Sequence, residues 1–178
     1  MCRAPNTDST QNRLYEICGR GVWLCQKYEA AQMRKQEPRI PNGSYIAPGK
    51  PQRGAIVNTA SICGSVAMGM PSYTAAKHSV LGITKVGGLF YGKHGIRCNS
   101  LSPGVVLTPE WIEWQKGLVD DERFQEQATG YSTRCPLKRP SHTDEQGNVA
   151  SFLLSGESSF INCANIVVDG GLTVAMDR

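Results

Sequence analysis

Tyr73 and Lys77 stand four residues apart, so on a helix their side chains share one face. A phenol beside an ammonium has a definite chemistry: the cation favours the phenolate, and the pair can trade a proton with an oxygen. Unaided, tyrosine titrates near pH ~10 and is a poor base at neutral pH. The spacing alone carries little weight, because six tyrosines and eight lysines in 178 residues give about 0.3 such pairs by chance. The order around the pair carries more. Asn58-Thr59-Ala60-Ser61 precedes it, with Ser61 twelve residues before Tyr73, and Ser102-Pro103-Gly104 follows, with Thr108 four residues past the glycine. His78, His94 and His142 show no metal-ligand spacing with one another or with carboxylates, so no metal is expected.

These side chains need a scaffold, and hydrophobic periodicity supplies its outline. Residues 14, 17, 18, 21, 22, 25 and 28 fall on one helical face, which predicts a helix from Leu14 to about Gln36, stopping before Pro38. Asp8 and Gln11, three apart just ahead of it, are expected as a capping pair. Four prolines between 38 and 53 mark a surface loop. Gly54 to Ala60 is short, β-branched and uninterrupted, the signature of a buried parallel strand. A helix follows from about Ser72 to Lys93, in which Gly82, Gly87 and Gly88 each cost up to ~1 kcal/mol against alanine. Small residues at such positions predict close approach to another helix. Ile96 to Leu101 is the next strand, broken by Pro103-Gly104. Trp111, Trp114 and Leu118 predict a short amphipathic helix inside an irregular 107–136 segment. Thr143 with Gln146 is read as a capping box opening a helix that ends near Ser155. Asn165 to Val168 is a third buried strand, closed by Asp169-Gly170-Gly171. Helices alternating with unalternated apolar strands define an α/β protein with a parallel sheet, here a single domain over 1–178 without internal repeats.

Composition narrows the function classes. With 40% apolar and 19% charged residues the chain is an ordinary globular one, long enough to bury roughly 70% of its unfolded surface. The net charge of +4 is spread out, and no basic patch interleaved with aromatics marks a nucleic-acid surface. No apolar run approaches the ~18 residues of a membrane span, and the first ten residues lack the charged start and apolar run of a secretory signal. Seven cysteines, an odd number with no Cys-x-x-Cys spacing, predict reduced, buried thiols in a cytoplasmic protein.

Taken in order, the strand, Asn58-Thr-Ala-Ser61, Tyr73-x-x-x-Lys77, second strand and Pro103-Gly-x-x-x-Thr108 make the chain similar to the C-terminal two-thirds of a short-chain dehydrogenase/reductase. The match runs from about Leu14 to Ala175, and Gly21-Val-Trp-Leu-Cys25 resembles fungal members that tailor secondary metabolites. The resemblance implies a partial doubly wound, Rossmann-like parallel sheet. It implies that Ser61 polarises the substrate oxygen and that Tyr73 acts as general acid in reduction and general base in oxidation. Lys77 would lower the phenol's pKa and hold the nicotinamide ribose. Pro103, Gly104, Val106 and Thr108 match the stretch beside the nicotinamide, and Asn58 a position that holds sheet and cofactor pocket. The cofactor implied is NADP or NAD, the partner a small-molecule substrate, and the quaternary state a homo-oligomer formed through the 72–93 helix.

Two departures from the family pattern bear on activity. Where the family places an Asn that organises a catalytic water, this chain has Cys18, and a thiol is a weak donor and acceptor. Absent too are the N-terminal glycine-rich βα units that hold the pyrophosphate; Gly19-Arg20-Gly21 falls mid-helix with no strand before it. Without those units, one edge of the 54–60 strand is expected to lack its neighbour. Two functions follow as expectations: an NAD(P)-dependent oxidoreductase interconverting a secondary alcohol and a ketone, or a truncated non-catalytic relative acting as an interaction subunit.

Overall fold

The structure is a computed structural model that describes residues 8–40, 51–109 and 134–175, with the isolated positions 113 and 130. Strands β1 (Gly54–Thr59), β2 (Ile96–Pro103) and β3 (Asn165–Val168) form one parallel sheet in that order. Parallel neighbours require crossovers, and helices α3 (Pro71–Gly92) and α4 (Thr143–Leu154) lie on the two connections. Ahead of β1 run α1 (Asp8–Tyr15), a π-helical turn (Glu16–Gly21) and α2 (Val22–Met33); α5 (Leu172–Ala175) follows β3. The expected α/β class and parallel sheet hold. Among the described residues no helix is long and apolar enough to cross a membrane.

Strand β2 has a neighbour on each side and is buried from Ile96 through Ser102. Ala30, Ile56, Ile96 and Cys98 form the core on its α2–α3 face, with Met33 and Tyr91 packed against them. Embedded beside this cluster is a polar strut. Asn58 Nδ2 donates to Gln26 Oε1 at 2.7 Å and to Thr84 Oγ1 at 2.9 Å, while Gln26 Nε2 donates to the Ile83 carbonyl at 3.1 Å. Each polar atom needs its partner because the site is dry. Gly87 makes room for it: a Cβ there would lie 2.3 Å from Gln26 Nε2. The predicted close approach of helices therefore occurs at Gly87, against α2. At Gly88 the neighbours are Asn162 and Cys163 of the loop before β3, and Gly82 faces open space.

Several expectations are corrected. The first helix begins at Asp8, so Asp8 and Gln11 lie inside α1 and do not precede it. The predicted buried face is also out of phase: Ile17 and Tyr28 are exposed, and Gly19, Gln26 and Ala30 are buried. A π-turn over Glu16–Gly21 inserts one residue into the helical count, so a 3.6-residue face drawn from Leu14 goes out of phase from Glu16 on. Gly19 packs in a helix crossing, where a Cβ would meet Ser79 Oγ at 3.1 Å. Strand β3 is not fully buried: Val167 is 41% exposed, and among the described residues the strand pairs with β2 alone. The cap of α4 is His142 with Glu145, one residue earlier than Thr143 with Gln146. Glu145 Oε2 accepts from His142 N at 2.8 Å, and Gln146 turns inward to the Ser141 hydroxyl and Val168 carbonyl. The Trp111, Trp114 and Leu118 stripe lies outside the described residues.

On the far face, Arg97 is buried and donates to the carbonyls of Leu153 and Ser155, each at 2.9 Å, and to Gln52 Oε1 at 3.1 Å. It thus satisfies the C-terminal carbonyls of α4, where a cation also complements the helix dipole.

Among the described residues β1 pairs with β2 alone. The Ala60 N–H to Leu101 carbonyl bond at 2.8 Å sets the phase of that ladder, so the backbone groups of Ala55, Val57 and Thr59 point to the open side. The expected unpaired edge is present, and one of its carbonyls leads into the site.

Candidate active site

Beyond Thr59 the chain leaves the sheet at Ala60 and Ser61 and enters a single 3₁₀ turn, Ile62–Gly64. Ser61 caps that turn with extended backbone (φ −172°), and its Oγ accepts from Cys63 N at 3.2 Å. The turn lies hard against α3: a Cβ on Gly64 would sit 2.8 Å from the Lys77 carbonyl. Only glycine permits that approach. Helix α3 starts with Pro71 at its first position, where proline's missing N–H is no loss. Its first two turns carry Tyr73 and Lys77 toward the same side.

The three expected catalytic side chains are brought together. Ser61 stands close enough to the Tyr73 phenol to act on its titration as a hydrogen-bonding neighbour. Lys77 Nζ lies 5.5 Å from the Tyr73 ring centroid and donates to the Thr59 carbonyl at 3.0 Å, an acceptor on the open edge of β1. Lys77 is 9% exposed. All of this stands at the carboxyl ends of parallel strands, where open α/β sheets take their ligands.

The electrostatics differ from expectation in one respect. Burial pushes the Tyr73 phenol above its ordinary value, the Ser61 hydrogen bond pulls it back in part, and negative charge on Cys63 or Cys18 would raise it further. The proximity of Lys77 does not reverse this. Burial also lowers Lys77, with Cys18 and Cys63 acting in the opposite sense. Both groups are thus drawn toward their neutral forms, the protonated phenol and the amine. Cys18 sits in the π-turn within electrostatic reach of both, at the position where the family carries its Asn.

The other predicted residues fall into two sets. Asn58 faces the α2–α3 layer, with its amide donor engaged by Gln26 and Thr84, so it holds the sheet beneath the site. Pro103 ends β2, and Gly104 N donates to the Val168 carbonyl at 3.1 Å. A Cβ on Gly104 would lie 2.7 Å from Asp169 Cβ; the glycine is required by this protein contact. Val106 bridges to Ser141, and Thr108 is half-buried. Asp169 was read only as part of a turn. Burial opposes its charge, but bonds from Thr173 N, Thr173 Oγ1 and Gly171 N, at 2.7, 2.7 and 2.8 Å, outweigh it and hold its carboxyl low. It closes a small cavity of about 80 Å³ shared with Val105, Ser141 and Leu172.

Comparison with known proteins fits this geometry. The family model described as enoyl-(acyl carrier protein) reductase matches residues 7–173. The 2,5-dichloro-2,5-cyclohexadiene-1,4-diol dehydrogenase of Sphingobium indicum is 37% identical over 154 residues, 86% of this chain and 54% of that protein. The short-chain dehydrogenase srdC of Neurospora crassa is 35% identical over 164 residues, 92% of this chain and 58% of that protein. A solved gluconate 5-dehydrogenase from Burkholderia cenocepacia, in complex with NADP and tartrate, superposes with a TM-score of 0.76 at 29% identity, covering 97% of this chain and 61% of that one. The chain therefore spans little more than half the length of the relatives it matches.

Proposed function

Since this chain belongs to the short-chain dehydrogenase/reductase family, we propose that it carries the proton-transfer and nicotinamide end of an NAD(P)-dependent oxidoreductase. The reaction is interconversion of a secondary alcohol and a ketone, as a tailoring step in secondary-metabolite biosynthesis in the cytoplasm. The observation that carries this reading is the convergence of Ser61, Tyr73 and a buried Lys77, whose Nζ lies 5.5 Å from the Tyr73 ring. The relative named for a diol supports the alcohol side, and six unpaired cysteines among the described residues the compartment.

In the reductive direction Tyr73 gives its phenolic proton to the carbonyl oxygen as Ser61 Oγ hydrogen-bonds the same atom. A phenol held protonated by burial suits that role at neutral pH. Lys77 spends one of its three donors on Thr59 and keeps two, a donor set that fits ribose hydroxyls of a nicotinamide nucleotide. When bound, that nucleotide supplies the hydride. Pro103, Gly104, Val106 and Thr108 form the wall we assign to its nicotinamide end.

A second reading, a non-catalytic relative acting as an interaction subunit, is favoured by the β1 edge, which among the described residues pairs with β2 alone. Titration with NADH and NADPH, followed by nicotinamide fluorescence and melting temperature, separates the two. A nucleotide present at 100 times its dissociation constant is expected to add about 2.7 kcal/mol of stability. Absence of any shift at millimolar concentration of both nucleotides would leave the second reading standing.

The 72–93 helix is also assigned a homo-oligomeric contact. Val86, Leu89 and Phe90 on α3 are 53%, 73% and 59% exposed, with Trp23 of α2 beside them, a cluster that is costly to leave in water. Leu89→Glu is expected to convert the oligomer to monomer in sedimentation velocity. A wild-type protein that already sediments as a monomer would remove the assignment.

A further inference from the structure

Asn165 opens β3 opposite Ser100 in the register. Its Oδ1 accepts from the Ser100 hydroxyl at 3.0 Å and the Ser102 hydroxyl at 2.7 Å, and both serines are almost wholly buried. With the oxygen engaged twice by the sheet, the amide nitrogen points away from it and donates to Ser65 Oγ at 3.2 Å. Ser65 closes the same 3₁₀ turn that Ser61 opens; within it Gly64 N bonds the Ser61 carbonyl at 2.8 Å and Ser65 N the Ile62 carbonyl at 2.9 Å. The turn is thus a stiff unit anchored on its inner side by β1 at Ser61, by Ile62 packed with Cys135 and Leu172, and by α3 at Gly64. On its outer side the Asn165–Ser65 bond ties the closing end of the turn to β3.

We propose that Asn165 is a positioning residue for Ser61, fixing through Ser65 the placement of the serine hydroxyl against the Tyr73 phenol. The proposal rests on the reading of Ser61 and Tyr73 as a proton-transferring pair, and it assigns to β3 a role in the site beyond completing the sheet. It also accounts for an amide at a sheet position with a polar neighbour on either side, where an apolar residue would pack without needing partners.

The test reads the phenol itself and needs no turnover. Protein labelled with 3-fluorotyrosine, which titrates below tyrosine, is followed by ¹⁹F NMR across pH, with the Tyr73 signal assigned by its loss in Tyr73→Phe. Because the Ser61 hydrogen bond lowers the phenol's titration, Ser61→Ala is expected to raise it. Asn165→Val and Ser65→Ala are expected to raise it in the same direction, and Ser65→Ala should add nothing in a Ser61→Ala background. Ser65 is exposed, so its variant folds and carries the test even if Asn165→Val does not. A melting-temperature loss in Asn165→Val with an unmoved Tyr73 titration in both variants, while Ser61→Ala shifts it, overturns the proposal: the amide is then only structural. If Ser61→Ala itself leaves Tyr73 unmoved, the pair fails and takes the proposal with it, a different result.

Discussion

Tyr73→Phe is expected to lower turnover of a ketone by about 10²–10⁴-fold, the usual contribution of a positioned general acid, while nucleotide affinity stays nearly unchanged. The hydroxyl is the only group lost, and the ring still covers Lys77 at 5.5 Å. The pH profile provides the sharper check. Burial holds the phenol above its ordinary value, so the acid form persists through neutrality. Reduction should stay flat there and fall as pH rises through the phenol's titration. Oxidation needs the phenolate and should rise over the same range. An alkaline limb belonging to Tyr73 must vanish in the Phe variant. Retention of both the rate and the limb would take Tyr73 out of the proton-transfer step.

The proposed site was legible in the sequence because its chemistry is carried by order: a hydroxyl after one strand, a phenol and an ammonium one helical turn apart, a proline–glycine break after the next strand. The strands were legible as short apolar runs. What was not legible has identifiable causes. The π-turn at Glu16–Gly21 shifts the helical phase by one residue, and nothing in residue types alone marks that shift. Gln26 reads as a solvent-facing helix residue, yet it is 3% exposed because Asn58, Cys98 and the Ile83 carbonyl saturate it. His142 lies outside the usual capping residues, so the box was set one residue late. For Tyr73 the spacing to Lys77 predicted a lowered phenol, but the direction depends on burial, which spacing does not report. Asn165 was counted as one more strand residue, since its partners Ser65 and Ser100 stand far away in sequence.

Arg97→Met is expected to destabilise the fold, and the reason is an asymmetry in hydrogen bonding. Replacing both members of a buried polar pair with apolar groups is often neutral, whereas removing one member strands the other. Here the partners are main-chain carbonyls of Leu153 and Ser155, each at 2.9 Å, and they cannot be replaced. They are also the terminal carbonyls of α4, which have no partner within the helix. The Ser158 hydroxyl also reaches both carbonyls, at 2.9 and 3.1 Å, but its single proton serves only one at a time, so one stranded carbonyl gives a loss of about 2 kcal/mol. At roughly 2–4 °C per kcal/mol for a domain of this size, the melting temperature should fall by about 4–8 °C. Arg97→Lys should fall between the two, because an ammonium keeps the charge at the helix end but lacks the guanidinium fork that spans both carbonyls. Thermal melts of the three proteins decide it. A loss under ~1 kcal/mol in Arg97→Met would mean that water reaches the carbonyls once the side chain is gone. The α4 face of the sheet would then be wetter than its packing indicates, and Arg97 would be a surface anchor and not the residue that lets α4 end inside the protein.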